Sequence, residues 1–367
     1  MKKILILSAS TGQGHNQAAN SLKVAFENQG FITSKQDFLQ GSSKLLLALV
    51  VGSYEVSAMK FPLGYGLFYK LTNNPLINPL STIPFYFIRK RMFKLIQEEK
   101  PDLIVTTHPL SICLVDGLKR MGVNVPIVSI VTDFKPHYTY ISKKIDLYIA
   151  GSQYTKDVLI KKGINANIVH PLGIPIKDTF FKENTDIAEL HNSDDYFNIL
   201  LMSGSMGLED ISFVLEELLK NERKLRVTVI CGNNKELKRN LDKHLNKEYK
   251  NKKLHILGFS TDIASFMEYS DILISKPGGL TVTESVAKDL PLIIPFAIPG
   301  QETENTEFLV SSELALKISH MSDINPLIND LIDNPEKLED LKNRIKTLRD
   351  TYSVEKTVKV CSDLINK

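Results

Sequence analysis

The stretch Ile274 to Asn305, ISKPGGLTVTESVAKDLPLIIPFAIPGQETEN, decides the reading of this chain. An apolar strand, Asp271 to Ser275, runs into Pro277-Gly278-Gly279, where the backbone approaches a ligand with no Cβ in the way. A helical pattern starts near Leu280 and Thr281 and carries Val282, Val286 and Ala287 on one side. Its unpaired N–H groups and the positive end of its dipole therefore point over the glycines, an arrangement for an anion. Glu284 follows one turn later, a carboxylate placed to accept two hydrogen bonds from a diol such as a ribose. A second strand, Leu292 to Phe296, leads through Pro299-Gly300 to Gln301, Glu302 and Asn305, a polar cluster suited to sugar hydroxyls. Singly, a glycine turn before a helix or a Glu in a first turn is ordinary. The order of the pieces carries the reading.

The N-terminus repeats the theme. Lys3 to Ser8 (KILILS) is an apolar run of strand length, followed by Gly12-Gln13-Gly14-His15 and a helical pattern through Ala18, Ala19, Leu22, Ala25 and Phe26. A dinucleotide fingerprint is the rival, because Asp37 closes the next strand-like run about 20 residues on. It fails at the third glycine, since Gly14 is followed by His15, Asn16 and Gln17. His15 stands at a helix start, where the dipole disfavours imidazolium and favours the neutral, proton-accepting ring.

The 367 residues correspond to two or three domains, each large enough to bury a core. A net charge of +3 with 24% charged residues is far from the basicity of a dedicated nucleic-acid binder. Three cysteines, Cys113, Cys231 and Cys361, are widely separated and odd in number, which reads as free thiols in a reducing compartment. The first apolar run ends at Ser8 in a polar loop, so it is expected to be a strand rather than a signal peptide. The densest apolar stretch, Leu45 to Val51, is shorter than the roughly 20 residues of a spanning helix. No Asp-X-Asp occurs, so neither a catalytic metal nor any other cofactor is indicated.

Short Val/Ile/Leu runs without alternation recur between helical patterns: Ile4 to Leu7, Leu103 to Thr106, Ile127 to Val131, Asp146 to Ala150, Asn198 to Met202, Val227 to Cys231, Ile272 to Ile274 and Leu292 to Ile294. Strands of this kind are buried on both faces, hence parallel sheets in two doubly wound α/β halves. The expected division is 1–178, a polar linker 179–195, and 196–338, with a final helix 339–367. The second half opens on Ser203-Gly204-Ser205-Met206-Gly207 after a strand, a second candidate diphosphate turn. In the first half, His108 follows Leu103 to Thr106 and Asp133 follows Ile127 to Val131, both at carboxyl ends where doubly wound sheets form their ligand crevice. They are candidate partners of His15, with His137 a weaker one. The basic run Lys235 to Lys253 reads as a solvated face.

The ordered motif Pro277 to Asn305 and the Gly-X-Gly-His loop resemble glycosyltransferase family 28, and most closely its diacylglycerol glycosyltransferases, the monogalactosyldiacylglycerol synthases and bacterial processive diacylglycerol glucosyltransferases. The resemblance implies a GT-B fold, two Rossmann-like domains whose parallel sheets face a cleft. It implies an N-terminal lipid-acceptor domain, a C-terminal UDP-sugar domain, a last helix that crosses back, and inverting transfer of a hexose to a diacylglycerol or glycosyl-diacylglycerol. It also implies His15 as catalytic base, Phe259 at the uracil-reading position, and UDP held by the N–H groups of Gly279, Leu280 and Thr281. Gly12-Gln13-Gly14 departs from the glycine triplet of the plant enzymes, which leaves the donor sugar open. Transfer to a polyprenyl-linked cell-wall precursor and a non-catalytic UDP-sugar-binding membrane module are the alternatives.

The segment Lys44 to Ile96 is unusually apolar and aromatic, with Tyr65, Phe68, Tyr69, Phe85, Tyr86 and Phe87 ahead of Arg89-Lys90-Arg91 and Lys94. Leu and Phe at helical spacing are usually core. Given the lipid acceptor that the resemblance implies, the segment is expected to meet an anionic membrane surface, with the protein peripheral on the cytoplasmic face.

Overall fold

Residue-by-residue alternation explains the apolar run at the N-terminus. In the strand Lys3–Ser8 (β1), Leu5 and Leu7 pack into one core while Ile4 and Ile6 pack into another on the opposite face of the sheet. The computed structural model describes residues 1–9, 13–40, 62–81, 86–183, 195–202, 211–245 and 247–366. They divide into two units: Met1–Lys177 with Ile298–Glu304 and Thr351–Lys367, and Asp178–Ala297 with Asn305–Asp350.

In the first unit β1 is joined by Ile32–Asp37 (β2), Leu103–Thr106 (β3), Ile127–Ile130 (β4), Leu147–Ala150 (β5) and Val169–Pro171 (β6). All pair in parallel, in the order β2-β1-β3-β4-β5-β6. Its helices are Gln13–Asn28 (α1), Pro62–Thr72 (α2), Tyr86–Glu99 (α3), Pro109–Arg120 (α4) and Gln153–Lys161 (α5). Helix α1 covers one face through Ala19, Leu22 and Phe26, and α3 and α4 cover the other through Met92, Ile96, Leu114 and Leu118. Strand order reverses between β1 and β3, whose Leu7 and Thr106 are in register. The segments leaving these two strands therefore share the switch point of the sheet.

The second unit holds Phe197–Met202 (β7), Leu225–Ile230 (β8), Lys252–Leu257 (β9), Ile272–Ser275 (β10), Leu292–Ile294 (β11) and Ala315–Lys317 (β12), in the order β12-β11-β10-β7-β8-β9 and again all parallel. Here the order reverses between β7 and β10. Its helices are Ile211–Lys220 (α6), Lys235–Asp242 (α7), Ile263–Tyr269 (α8), Gly279–Ala287 (α9), Gln301–Ser311 (α10), whose first four residues belong to the first unit, Ile324–Asp333 (α11) and Pro335–Arg349 (α12). Strand β11 stops at Ile294 instead of reaching Phe296, because Pro295 has no N–H to continue the ladder.

The expected single helix from Glu339 onward is two helices. Helix α12 ends at Arg349, and Val354–Ile365 (α13) starts afresh with Ser353 as N-cap, its hydroxyl accepting from Lys356 N at 3.0 Å. Only α13 belongs to the first unit, where Val358 and Cys361 join the core beside α1. Ser353 N donates to the Leu172 carbonyl at 2.9 Å, and Gly173 (φ +86°) leaves room for the Tyr352 ring, which a Cβ there would approach to 2.5 Å. Among the described residues no helix is long and apolar enough to cross a membrane. Leu45 to Val51 lies outside them.

Candidate active site

His15 is the third residue of α1, after Gly14, and is partly buried. Its Nδ1 lies 2.8 Å from the Thr107 carbonyl oxygen and 2.9 Å from Thr132 Oγ1. A carbonyl only accepts, so in the neutral ring Nδ1 carries the proton and Nε2 is left as the proton acceptor. Thr107 Oγ1 donates back to the His15 carbonyl at 3.0 Å, locking the two switch-point segments together. The His15 pKa falls to about 4. Burial is the cause, with the Thr107 carbonyl opposing it, so desolvation does what the helix dipole was expected to do.

Asp133 is buried, and its side chain bonds to Tyr140 and Gln301. Tyr140 Oη, fully buried, lies 2.9 Å from Thr132 Oγ1 and donates to Asp133 Oδ2 at 3.0 Å. On its other oxygen Asp133 accepts from the Gln301 amide at the start of α10. Burial pushes the Asp133 carboxyl up to about 7, with Glu304 and Glu302 adding to the rise and the bonds from Tyr140 and Gln301 opposing it. Thr132 and Tyr140 carry no motif, and sequence reading missed both.

The two other candidate histidines, His108 and His137, are helix N-caps. His108 is the N-cap of α4, its Nδ1 accepting from Leu110 N at 3.1 Å, and its ring lies 4.3 Å from that of His15. Its Nδ1 is thus committed to the backbone, and the ring packs beside His15. His137 Nδ1 accepts from Thr139 N at 3.1 Å while Nε2 donates to the Tyr69 carbonyl at 3.0 Å, holding α2.

The loop Ile298–Glu304 is fitted against α2. A Cβ on Gly66 would fall 2.8 Å from Pro299 Cβ, and Gly300, at φ +100°, faces the rings of Tyr69 and Tyr65. Glu302 Oε2 accepts from Ile298 N at 2.9 Å, which closes the turn. Glu304, unnoticed within the quoted motif, accepts from Tyr69 Oη at 2.9 Å and pairs with Lys135 at 3.3 Å.

In the second unit, Gly278 is the N-cap of α9 and has no side chain with which to cap the first N–H groups of Gly279, Leu280 and Thr281. Its φ of −66° suits any residue, and an added Cβ would meet nothing nearer than Thr281 Oγ1 at 3.9 Å. Among the described residues neither conformation nor packing requires a glycine there. Asn305 is fully buried and donates to the Pro277 carbonyl at 3.0 Å, which holds the turn. Glu284 is nearly buried on α9. Phe259, after β9, is 64% exposed. Ser203, Gly204, Ser205 and Gly207 lie outside the described residues.

The expected lipid-facing segment divides differently from its sequence reading. Arg89 donates to the Cys113 carbonyl at 3.2 Å, and Arg91 to the Phe38 carbonyl at 2.6 Å. These two guanidiniums are committed to the protein, and of the triplet only Lys90 is exposed. On α2, by contrast, Leu63, Leu67, Phe68 and Leu71 are all at least half exposed, followed by exposed Leu76. Leucines spaced one turn apart are here an outer stripe instead of core.

A family model for monogalactosyldiacylglycerol synthase matches residues 15–176, and one for the glycosyltransferase family 28 C-terminal domain matches residues 198–358. A processive diacylglycerol beta-glucosyltransferase from Bacillus licheniformis is 31% identical, covering 96% of this chain and 93% of that protein. One from Staphylococcus epidermidis is 28% identical, covering 100% and 93%. Among solved structures, Acinetobacter baumannii MurG is similar with a TM-score of 0.65 and 17% identity over 99% of this chain and 100% of that one, a likeness of fold. Sheets, motifs and full-length relatives agree: this chain belongs to the processive diacylglycerol beta-glucosyltransferase family, within glycosyltransferase family 28.

Proposed function

We propose that this chain transfers a hexose from a UDP-sugar to the free hydroxyl of diacylglycerol, or of a glycosyl-diacylglycerol, with inversion at the anomeric carbon. The observation that carries the reading is the Thr107 carbonyl on His15 Nδ1, which leaves Nε2 as a neutral acceptor at the switch point of the first sheet. As the lipid oxygen bonds to C1, its proton passes to Nε2 and the C1–O bond to the diphosphate breaks, the electron pair leaving on UDP. The first N–H groups of α9, which the N-cap glycine leaves without a side-chain cap, take the growing negative charge on the diphosphate. Glu284 holds the ribose and exposed Phe259 lies beside the base. Gln301 and Glu302 order the loop that reaches Asp133. Glucose is the sugar in the relatives' names.

The acceptor is reached from a membrane surface. The outer stripe of α2 suits burial among acyl chains, with exposed Lys70 and Lys90 facing anionic headgroups. On this reading the protein works at the cytoplasmic face, where its three free thiols stay reduced. The near-full-length relatives carry the diacylglycerol name, which favours that acceptor over a polyprenyl-linked precursor. The test is incubation with UDP-glucose and diacylglycerol micelles, following UDP and lipid product together. Equimolar UDP and glucosyl-diacylglycerol are expected. UDP release without glycolipid, or product only with a polyprenyl acceptor, would overturn the assignment.

A further inference from the structure

We propose that Thr132 and Tyr140 are positioning residues that carry the negative charge of Asp133 to His15 through a chain of oriented hydroxyls. The proposal rests on the reading of His15 as the base. Three contacts link the four residues: His15 Nδ1 to Thr132 Oγ1 at 2.9 Å, Thr132 Oγ1 to Tyr140 Oη at 2.9 Å, and Tyr140 Oη to Asp133 Oδ2 at 3.0 Å. Thr132 and Asp133 are each 4% exposed and Tyr140 is 0% exposed, so water does not compete for these bonds.

The two ends fix the direction of every proton. An ionised Asp133 only accepts, so Tyr140 spends its single proton there and Thr132 must donate to Tyr140. That leaves a lone pair on Thr132 Oγ1 facing Nδ1, whose proton is already assigned by the Thr107 carbonyl. All hydroxyl dipoles then point their negative ends toward His15. Burial and Asp133 hold the Tyr140 phenol well above its ordinary pKa, so it stays a donor. When Nε2 takes the acceptor's proton, the new imidazolium meets an aligned chain ending in a carboxylate, and no proton need move along it. The tyrosine links Asp133 to Thr132, and Gln301 steadies the far oxygen.

The experiment is a double-mutant cycle on turnover with UDP-glucose and diacylglycerol, using Tyr140→Phe, Asp133→Asn and both together, with His15→Gln as reference and UDP affinity and melting temperature measured throughout. Tyr140→Phe and Asp133→Asn are each expected to lower kcat about 10- to 100-fold with KM for the donor unchanged, and the double variant no more than either alone. Thr132→Ser is expected to keep wild-type kcat, while Thr132→Val falls with Tyr140→Phe. Multiplicative losses in the double variant, or a Thr132→Ser as impaired as Thr132→Val, would reduce the chain to packing and overturn the proposal. If His15→Gln turns over like wild type, the base reading falls and the relay with it; an inactive His15→Gln beside multiplicative losses sinks the relay alone.

Discussion

Gly66 on α2 lies directly against Pro299: a β-carbon at position 66 would stand 2.8 Å from Pro299 Cβ, closer than real side chains come. The same face of the helix covers Gly300 with Tyr65 and Tyr69, and the next residue, Gln301, holds Asp133. The helix with the exposed apolar stripe therefore sets, from its inner side, the loop that reaches the buried carboxylate. Gly66→Val should push the loop away and lower kcat by about 10-fold or more, given the steep cost of small misplacements. UDP affinity should be unchanged, because the α9 turn belongs to the other unit. A variant with wild-type kcat would show that the loop does not depend on α2.

Turnover should rise with pH through the titration of Asp133. Its carboxyl is raised to about 7 by burial and by Glu304 and Glu302, against the bonds from Tyr140 and Gln301, so the charged form that supports imidazolium grows in above that pH. His15, at about 4, is already neutral throughout this range. Gln301→Leu removes one of the two opposing bonds, so the Asp133 pKa rises and the limb of the kcat profile moves to higher pH. A limb that stays in place, or moves lower, would separate Asp133 from the pH dependence.

The nucleotide turn has a test that spares the fold. Since among the described residues an added methyl at Gly278 meets no atom nearer than Thr281 Oγ1 at 3.9 Å and its φ is −66°, Gly278→Ala should leave the melting temperature within a few degrees of wild type. Calorimetry should show UDP binding weakened about 10-fold or more, as the methyl occupies the space proposed for the diphosphate. Unaltered UDP affinity would place the phosphates elsewhere.

Vesicle binding should follow α2 instead of the basic triplet. Leu67→Gln with Phe68→Gln is expected to abolish most sedimentation with anionic liposomes, since both side chains are exposed and apolar. Lys90→Gln should give a smaller, salt-sensitive loss. Equal binding by the Leu67/Phe68 pair of substitutions and wild type would return that stripe to another use.

The inner strands of both sheets were legible because strands buried on two faces leave unbroken Val/Ile/Leu runs, as Ile4 to Leu7 does between two cores, whereas the polar or short edge strands β2, β6, β9 and β12 leave none. His15 was legible because a glycine loop announces it. Tyr140 was not: it sits in the short 3-10 turn Tyr138–Tyr140, where no periodicity marks which side faces Asp133. The polarity of α2 was hidden as well, since its inner contacts are made through Gly66 and tyrosines while the leucines that usually mark a core face outward. Arg89 and Arg91 looked like a surface cluster because sequence does not reveal that Gly117 makes room for the Arg89 side chain, or that the Phe38 carbonyl awaits Arg91. The bond from Asn305 to the Pro277 carbonyl is likewise displayed only by the folded turn.

The central claim is that His15 Nε2 receives the acceptor's proton, and turnover of His15→Ala tests it most directly. With UDP-glucose and diacylglycerol, the variant should fold, bind UDP as wild type does, and lose transfer by on the order of 10²–10⁴. Transfer within a few-fold of wild type by a folded, UDP-binding His15→Ala would contradict the claim.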